Sequence, residues 1–183
     1  MRIRNAGLDG AWVFSPQQHH DERGVFLEAF TATALRSATG RDLSVAQINV
    51  SISRRGVVRG IHAARTPPGQ AKYVQCLTGR ILDVIVDIRP GSASFGEHFA
   101  LELNDATREA VFISEGLGHG FCVLSDSATV AYATSTPYDP DQEFGIDPLD
   151  PALALPWPTN VELILSDKDR AAPSLAEALS LMP

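Results

Sequence analysis

The feature that most narrows how this chain can fold is the stretch 45–138, where short extended segments alternate with turn signals and no long helical periodicity intervenes. VAQINVSIS, AKYVQCLTG, RILDVIVDIR, HFALEL, EAVFIS, GFCVLS and ATVAYATS alternate in polarity or are rich in β-branched residues. Such side chains suit a pleated, half-buried surface. Between them, RRG, TPPGQ, TGR, RPGSASFG and SEGLGHG supply the glycine and proline that turns require. Short strands at this spacing predict a sandwich, jelly roll or barrel. With 183 residues, 44% of them apolar, a single domain over 1–183 is expected.

Helical signal is confined to two places. Residues 33–39 follow a plausible cap and end at Gly40, and residues 173–181 carry a proline near the start of SLAEALSL. The proline-rich span 137–158 predicts a long surface excursion. Within ILDVIVDI, Asp83 and Asp87 interrupt an otherwise apolar strand, and two carboxylates buried there need partners.

A net charge of -7 argues against a general nucleic-acid binder, which draws its affinity from a basic face. An anionic small ligand remains compatible with local arginines. No run approaches the roughly 18 apolar residues of a membrane span, and MRIRNAGLDGAWVF lacks the apolar core of a secretory signal, so a cytoplasmic location without membrane contact is expected. Cys76 and Cys122 lie in apolar runs without metal-ligand spacing, as buried free thiols would.

Of 15 cations only Lys72 and Lys168 are lysines, which makes each of them a question. Among the five histidines none has a second at H-x-H spacing, and His19 and His20, being adjacent, would face opposite sides of a strand. A metal site is therefore the weaker expectation. His62, in VVRGIH, reads either as a packed histidine or as a base. Lys72, ten residues on, reads either as a solvated strand end or as a cation beside a developing enolate. If adjacent antiparallel strands bring both into one lumen, the pair suits proton abstraction next to a carbonyl. Tyr132 and Tyr138 flank ATSTP, and a phenol there can pack, stack on a base or act as an acid. Asp167 and Asp169 in ILSDKD form either an exposed acidic turn or a carboxylate that orients a distant imidazole.

Taken together and in order, the strings DERGVFLEAF, AQINVSIS, GVVRGIH, GQAKYVQCLTG, DVIVDIRPGSASFG, ISEGLGHGFCVLSD, YATSTPYDPDQEFGI and LSDKD resemble the dTDP-4-dehydrorhamnose 3,5-epimerase family, with its relatives that epimerise dTDP-4-keto-6-deoxy sugars for antibiotic biosynthesis. The resemblance implies an all-β, cupin-type jelly roll with a few short peripheral helices, assembled as a homodimer. It implies an isomerase that inverts C3, C5 or both by proton removal and return, with no cofactor and no metal. Mapped by motif, His62 is the expected base, Asp169 its orienting carboxylate, Lys72 and Arg59 the stabilisers of oxygen charge, and Tyr132 the returning acid. Gln47, Asn49, His119, Tyr138 and Glu143 are expected around the nucleotide sugar, and Asp83 behind a catalytic histidine or lysine. Arg23, Phe26 and Glu28 are expected to complete the pocket of the neighbouring subunit. Where many members carry an aromatic, Ala63 follows His62, which predicts a reshaped pocket wall.

Two other classes compete. A nucleotide-sugar-binding cupin without catalysis would bind ligand and leave His62 with nothing to do. A metal-dependent cupin oxygenase would need the histidine pair that is missing.

Overall fold

The computed structural model describes residues 1–180. In chain order the elements are β1 (Arg2–Asn5), β2 (Ala11–Ser15), β3 (Gln18–Asp21), β4 (Gly24–Leu27), α1 (Ala32–Thr39), β5 (Gln47–Arg54), β6 (Val58–Ala64), β7 (Lys72–Thr78), β8 (Arg80–Asp87), β9 (His98–Asn104), β10 (Ala110–Ile113), β11 (Leu117–Val123), β12 (Ser127–Thr134), β13 (Glu143–Gly145), α2 (Asp167–Arg170) and α3 (Leu175–Ser180). A six-stranded sheet runs β1-β2-β10-β7-β12-β5 and a five-stranded sheet runs β13-β6-β11-β8-β9, with neighbouring strands antiparallel throughout both. The two face each other as the expected cupin-type jelly roll. Strands β3 and β4 form a separate exposed hairpin.

Alternation along each strand sorts its side chains into two sets. Val74, Cys76 and Val130 from the six-stranded sheet meet Ile81, Ile85, Phe121 and Val123 from the other, filling one end of the space between them. At the other end the inward positions turn polar: Lys72 continues the row of Val74 and Cys76, and His119 the row of Phe121 and Val123. Residues Phe14, Tyr73 and Phe112 point outward instead and are covered by Leu35 of α1 and by Leu43. Helix α1 begins one residue before the expected 33–39 and ends at Gly40, whose φ of 69° is the left-handed conformation that glycine adopts without penalty.

The outer face of the five-stranded sheet is covered by the C-terminal part of the chain. The span 137–158 is not only a surface excursion. It supplies β13 and lays Leu153 and Trp157 over Ile61, Ala63, Val84 and Val86, with Trp157 Nε1 donating to the Pro148 carbonyl at 2.7 Å. Ala63 belongs to this outer layer, opposite Phe144 of β13, so its small side chain does not reshape the pocket wall. Helix α3 spans Leu175–Ser180, later than the expected 173–181, of which Leu181 lies outside the described residues.

Asp87 is explained within the fold. Burial pushes its carboxyl up, but bonds from Arg89, Ser92 and Ser94 outweigh that and hold it well below the usual carboxylate range. It ties the 88–97 loop to the end of β8. Cys76 and Cys122 are buried thiols, as expected.

Candidate active site

The polar end of the inter-sheet space is a cavity of about 510 Å³. Strand β6 brings Arg59 and His62 to it, β7 Lys72, β11 His119, β12 Tyr132 and β5 Gln47 and Asn49. Tyr138 stands on the returning loop, Glu143 begins β13, and Asp169 sits on α2. His62 and Lys72 do not lie on adjacent strands, as the ten-residue spacing suggested. They arrive from facing sheets, because the chain between β6 and β7 crosses the sandwich instead of making a hairpin.

His62 and His119 are directly paired across β6 and β11. That pairing depends on glycine. A Cβ on Gly60, whose φ is 122°, would stand 2.5 Å from Gly120 Cα and 2.6 Å from the His119 carbonyl oxygen, so side chains are excluded where the strands approach.

Each imidazole is held by a carboxylate. His62 Nε2 lies 2.7 Å from Asp169 Oδ1, and His119 Nε2 lies 2.8 Å from Asp83 Oδ2. Burial pushes the Asp169 carboxyl up, but His62, the Ser166 hydroxyl and the charge of Lys168 together leave it below its ordinary value. An ionised carboxylate only accepts, so the hydrogen of this bond is on His62 Nε2, and in the neutral ring the lone pair is then on Nδ1. Asp169 reaches His62 because α2 is a single turn capped by Ser166, whose Oγ accepts the Asp169 N–H at 3.1 Å. The segment before it is pinned by a bridge between Ile164 and Val57. LSDKD thus leads into a one-turn helix at the cavity: Asp167 is exposed, as an acidic turn would leave it, while Asp169 is buried and turned to His62.

Lys72 is buried, and burial lowers its ammonium to about 8 despite the opposing charges of Glu143 and Asp83. Its Nζ donates to the His62 carbonyl at 3.4 Å. Burial, reinforced by Glu143 and partly offset by Arg59, raises the Tyr132 phenol above its ordinary value, so it holds its proton near neutrality. Arg59 Nε donates to Ser53 Oγ at 3.0 Å, which fixes the guanidinium. Gln47 Nε2 donates to Asn49 Oδ1 at 2.6 Å and its Oε1 accepts the Tyr138 N–H at 3.0 Å, anchoring the Tyr138 backbone beside an exposed ring.

Asp83 stands behind His119. Arg23, Phe26 and Glu28 lie on or beside the β3–β4 hairpin, exposed and outside the lining of their own chain's cavity. His19 and His20 are exposed on the same hairpin, and no cluster of three metal-ligating side chains occurs among the described residues. Sequence reading missed Ser51, Gln70, Phe121, Ser166 and Lys168, all of which line the cavity. Lys168 carried a signal in the scarcity of lysine. Ser51 carried one in the alternation of β5, whose inward positions are all polar.

A family model described as dTDP-4-dehydrorhamnose 3,5-epimerase matches residues 5–177. The chain belongs to that family. A dTDP-4-dehydrorhamnose 3-epimerase from Streptomyces niveus is 51% identical over 97% of this chain and 86% of its own length. Among solved structures, a 4-keto-6-deoxy sugar epimerase from the novobiocin biosynthetic gene cluster of Streptomyces spheroides superposes with a TM-score of 0.96 at 50% identity, covering all of this chain and 92% of the other. A 3'-monoepimerase from Streptomyces bikiniensis, in complex with dTDP-quinovose, gives 0.92 at 45% identity, over 97% of this chain and 90% of the other. The dTDP-4-dehydrorhamnose 3,5-epimerase family thus accounts for the order of the motifs, and it places the chain among the sugar-nucleotide isomerases. No helix among the described residues is long and apolar enough to cross a membrane.

Proposed function

We propose that the chain epimerises a dTDP-linked 4-keto-6-deoxyhexose at C3, C5 or both, through an enolate and without a cofactor. The observation that carries this reading is the opposition, across one cavity, of His62 held by Asp169 on one sheet and the protonated Tyr132 on the other. Inversion requires a base and an acid on opposite faces of the ring, and two facing sheets supply that arrangement. The C4 ketone acidifies the adjacent C–H. His62 Nδ1 removes the proton, the electron pair moves onto the C4 oxygen, and the Lys72 ammonium stabilises the resulting charge. Tyr132 then returns a proton from the other side. Asp169 keeps the imidazole in the required tautomer and stabilises it once protonated.

Arg59 and Lys168 are the cations that face the diphosphate in this reading, with Tyr138 against the base and Gln47, Asn49 and Glu143 around the remaining polar groups. The competing reading, binding without turnover, leaves the His62–Asp169 pair and the buried Lys72 without a purpose. Turnover in deuterated water separates the two. Deuterium entering C3 or C5, read by NMR, is the expected result, and authentic substrate that stays unlabelled at both carbons overturns the proposal. Tyr132→Phe is expected to retain exchange and lose net inversion.

The working unit in this reading is a cytoplasmic homodimer. On β5 the outward residues Ile48, Val50 and Ile52 are 67%, 61% and 74% exposed, and Phe26 on the hairpin is 69% exposed. An apolar row of this kind on a sheet edge is a surface for association. Arg23, Phe26 and Glu28, which do not reach their own cavity, are then available to a partner's. Ile52→Lys is expected to yield monomers by light scattering. A wild type that is monomeric at micromolar concentration removes this part of the proposal.

A further inference from the structure

Ser51 brings to the cavity a hydroxyl that the reaction steps above do not use. Its Oγ is buried and has no hydrogen-bond partner among the described residues, although the residue lines the cavity. A buried hydroxyl without a partner is unfavourable, and at a ligand cavity the missing partner is reasonably sought in the ligand. The other inward groups of β5 each have a protein partner: Gln47 and Asn49 bond each other, Gln47 also accepts from Tyr138, and Ser53 accepts from Arg59.

Strand register gives Ser51 a position relative to the chemistry. Strand β12 lies between β7 and β5. Along it, Thr134 pairs with Lys72 of β7, Tyr132 with Asn49 of β5, and Val130 with Ser51 of β5. Lys72, Tyr132 and Ser51 therefore follow one diagonal across three strands, all lining the cavity. Diagonal neighbours stand roughly 7–8 Å apart, a separation that long side chains close and a short serine leaves open for a ligand.

A 4-keto-6-deoxyhexose linked through C1 carries ring hydroxyls only on C2 and C3. For inversion at C3, with the C4 oxygen at Lys72 and C3 facing Tyr132, C2 is the ring atom on the side of C3 away from C4, the side on which Ser51 stands. We propose that Ser51 Oγ hydrogen-bonds the C2 hydroxyl of the substrate and makes the site selective for 2-hydroxylated over 2-deoxy sugars; this rests on the roles given to Lys72 and Tyr132 under the proposed function. Asn49, opposite Tyr132, is the nearest rival for that hydroxyl; its Oδ1 accepts from Gln47 and its Nδ2 can only donate, so Asn49→Ala is the control that separates the two.

The test compares kcat/KM for dTDP-4-keto-6-deoxyglucose and its 2-deoxy counterpart, in wild type and in Ser51→Ala. Wild type is expected to favour the hydroxylated sugar by roughly tenfold, in line with one hydrogen bond and the group it would leave unpaired. Ser51→Ala is expected to lose activity on that sugar alone and to treat the two alike. Because each preference is a ratio within one preparation, partial misfolding of the variant does not alter it. A preference that survives Ser51→Ala, or a wild type that is active but indifferent, overturns the assignment of Ser51 and leaves the epimerase reading intact. A wild type inactive on both sugars overturns the epimerase reading and this assignment with it.

Discussion

Two imidazole–carboxylate pairs stand side by side in this molecule with nearly the same geometry, 2.7 Å for His62–Asp169 and 2.8 Å for His119–Asp83, and they differ in what surrounds them. The His62 side chain is 35% exposed, and its carboxylate comes from 107 residues away on a one-turn helix. The His119 side chain is 8% exposed, and its carboxylate stands on the adjacent strand of the same sheet. An imidazole open to the cavity can exchange its proton with a substrate. One enclosed with an acid on its own sheet, although it lines the same cavity, is expected to hold the wall. In the proposed reading the same chemical pair does different work according to its burial.

Substituting the histidines gives the largest contrast. His62→Asn is expected to reduce deuterium exchange by roughly 10²- to 10⁴-fold, the range spanned by a general base. His119→Asn should affect exchange less and thermal unfolding more. Equal losses of exchange in the two variants would erase the distinction.

The carboxylates sharpen the same comparison. Asp169→Asn is expected to lower kcat by roughly 10²-fold, because the amide can donate to Nε2 and favour the wrong tautomer. Its melting temperature should move little. Asp83→Asn should show the reverse pattern, a loss of about 1–3 kcal/mol in denaturant unfolding from a buried bond replaced imperfectly, with a smaller effect on kcat. Paired kinetics and urea titrations read both. A destabilised Asp169→Asn with normal kcat would assign that pair a structural role instead.

The smallest effect concerns Lys72, which lies within reach of both pairs. Burial lowers its ammonium to about 8, and the charged form is the one that stabilises an enolate. Activity should therefore fall as pH rises through about 8. Lys72→Arg should remove this alkaline limb while lowering the plateau about tenfold, since a planar guanidinium does not replace a compact ammonium. Full activity in that variant would show that the position needs only a positive charge.

Much of this was legible along the chain. The β segments between 45 and 138 announce themselves by alternation and by glycine and proline at their ends, and Asp83 and Asp87 stand out as acids in an apolar run. The hairpin β3–β4 was not legible as strands, because its residues are exposed and leave no two-residue pattern of burial. Ser166 and Lys168 were hidden by the polar string LSDKD, which reads as a surface turn until the chain folds it against β6. The expectation for Ala63 fails on strand alternation. A residue next to a site residue on a strand points to the opposite face, so its size is felt in the outer core.

Local spacing and ordered strings carry the strands of the 45–138 stretch, the polarity of their faces and the family to which the motifs belong. Which sheet each strand joins follows from long-range pairing alone. The crossover between β6 and β7 put His62 and Lys72 on facing walls, the Gly60–Gly120 approach set His62 beside His119, and the fold of the C-terminal segment carried Asp169 across 107 residues to its partner. Strand pairing and chain crossing are long-range choices, fixed by burying the apolar faces of both sheets at once, and no local pattern encodes them.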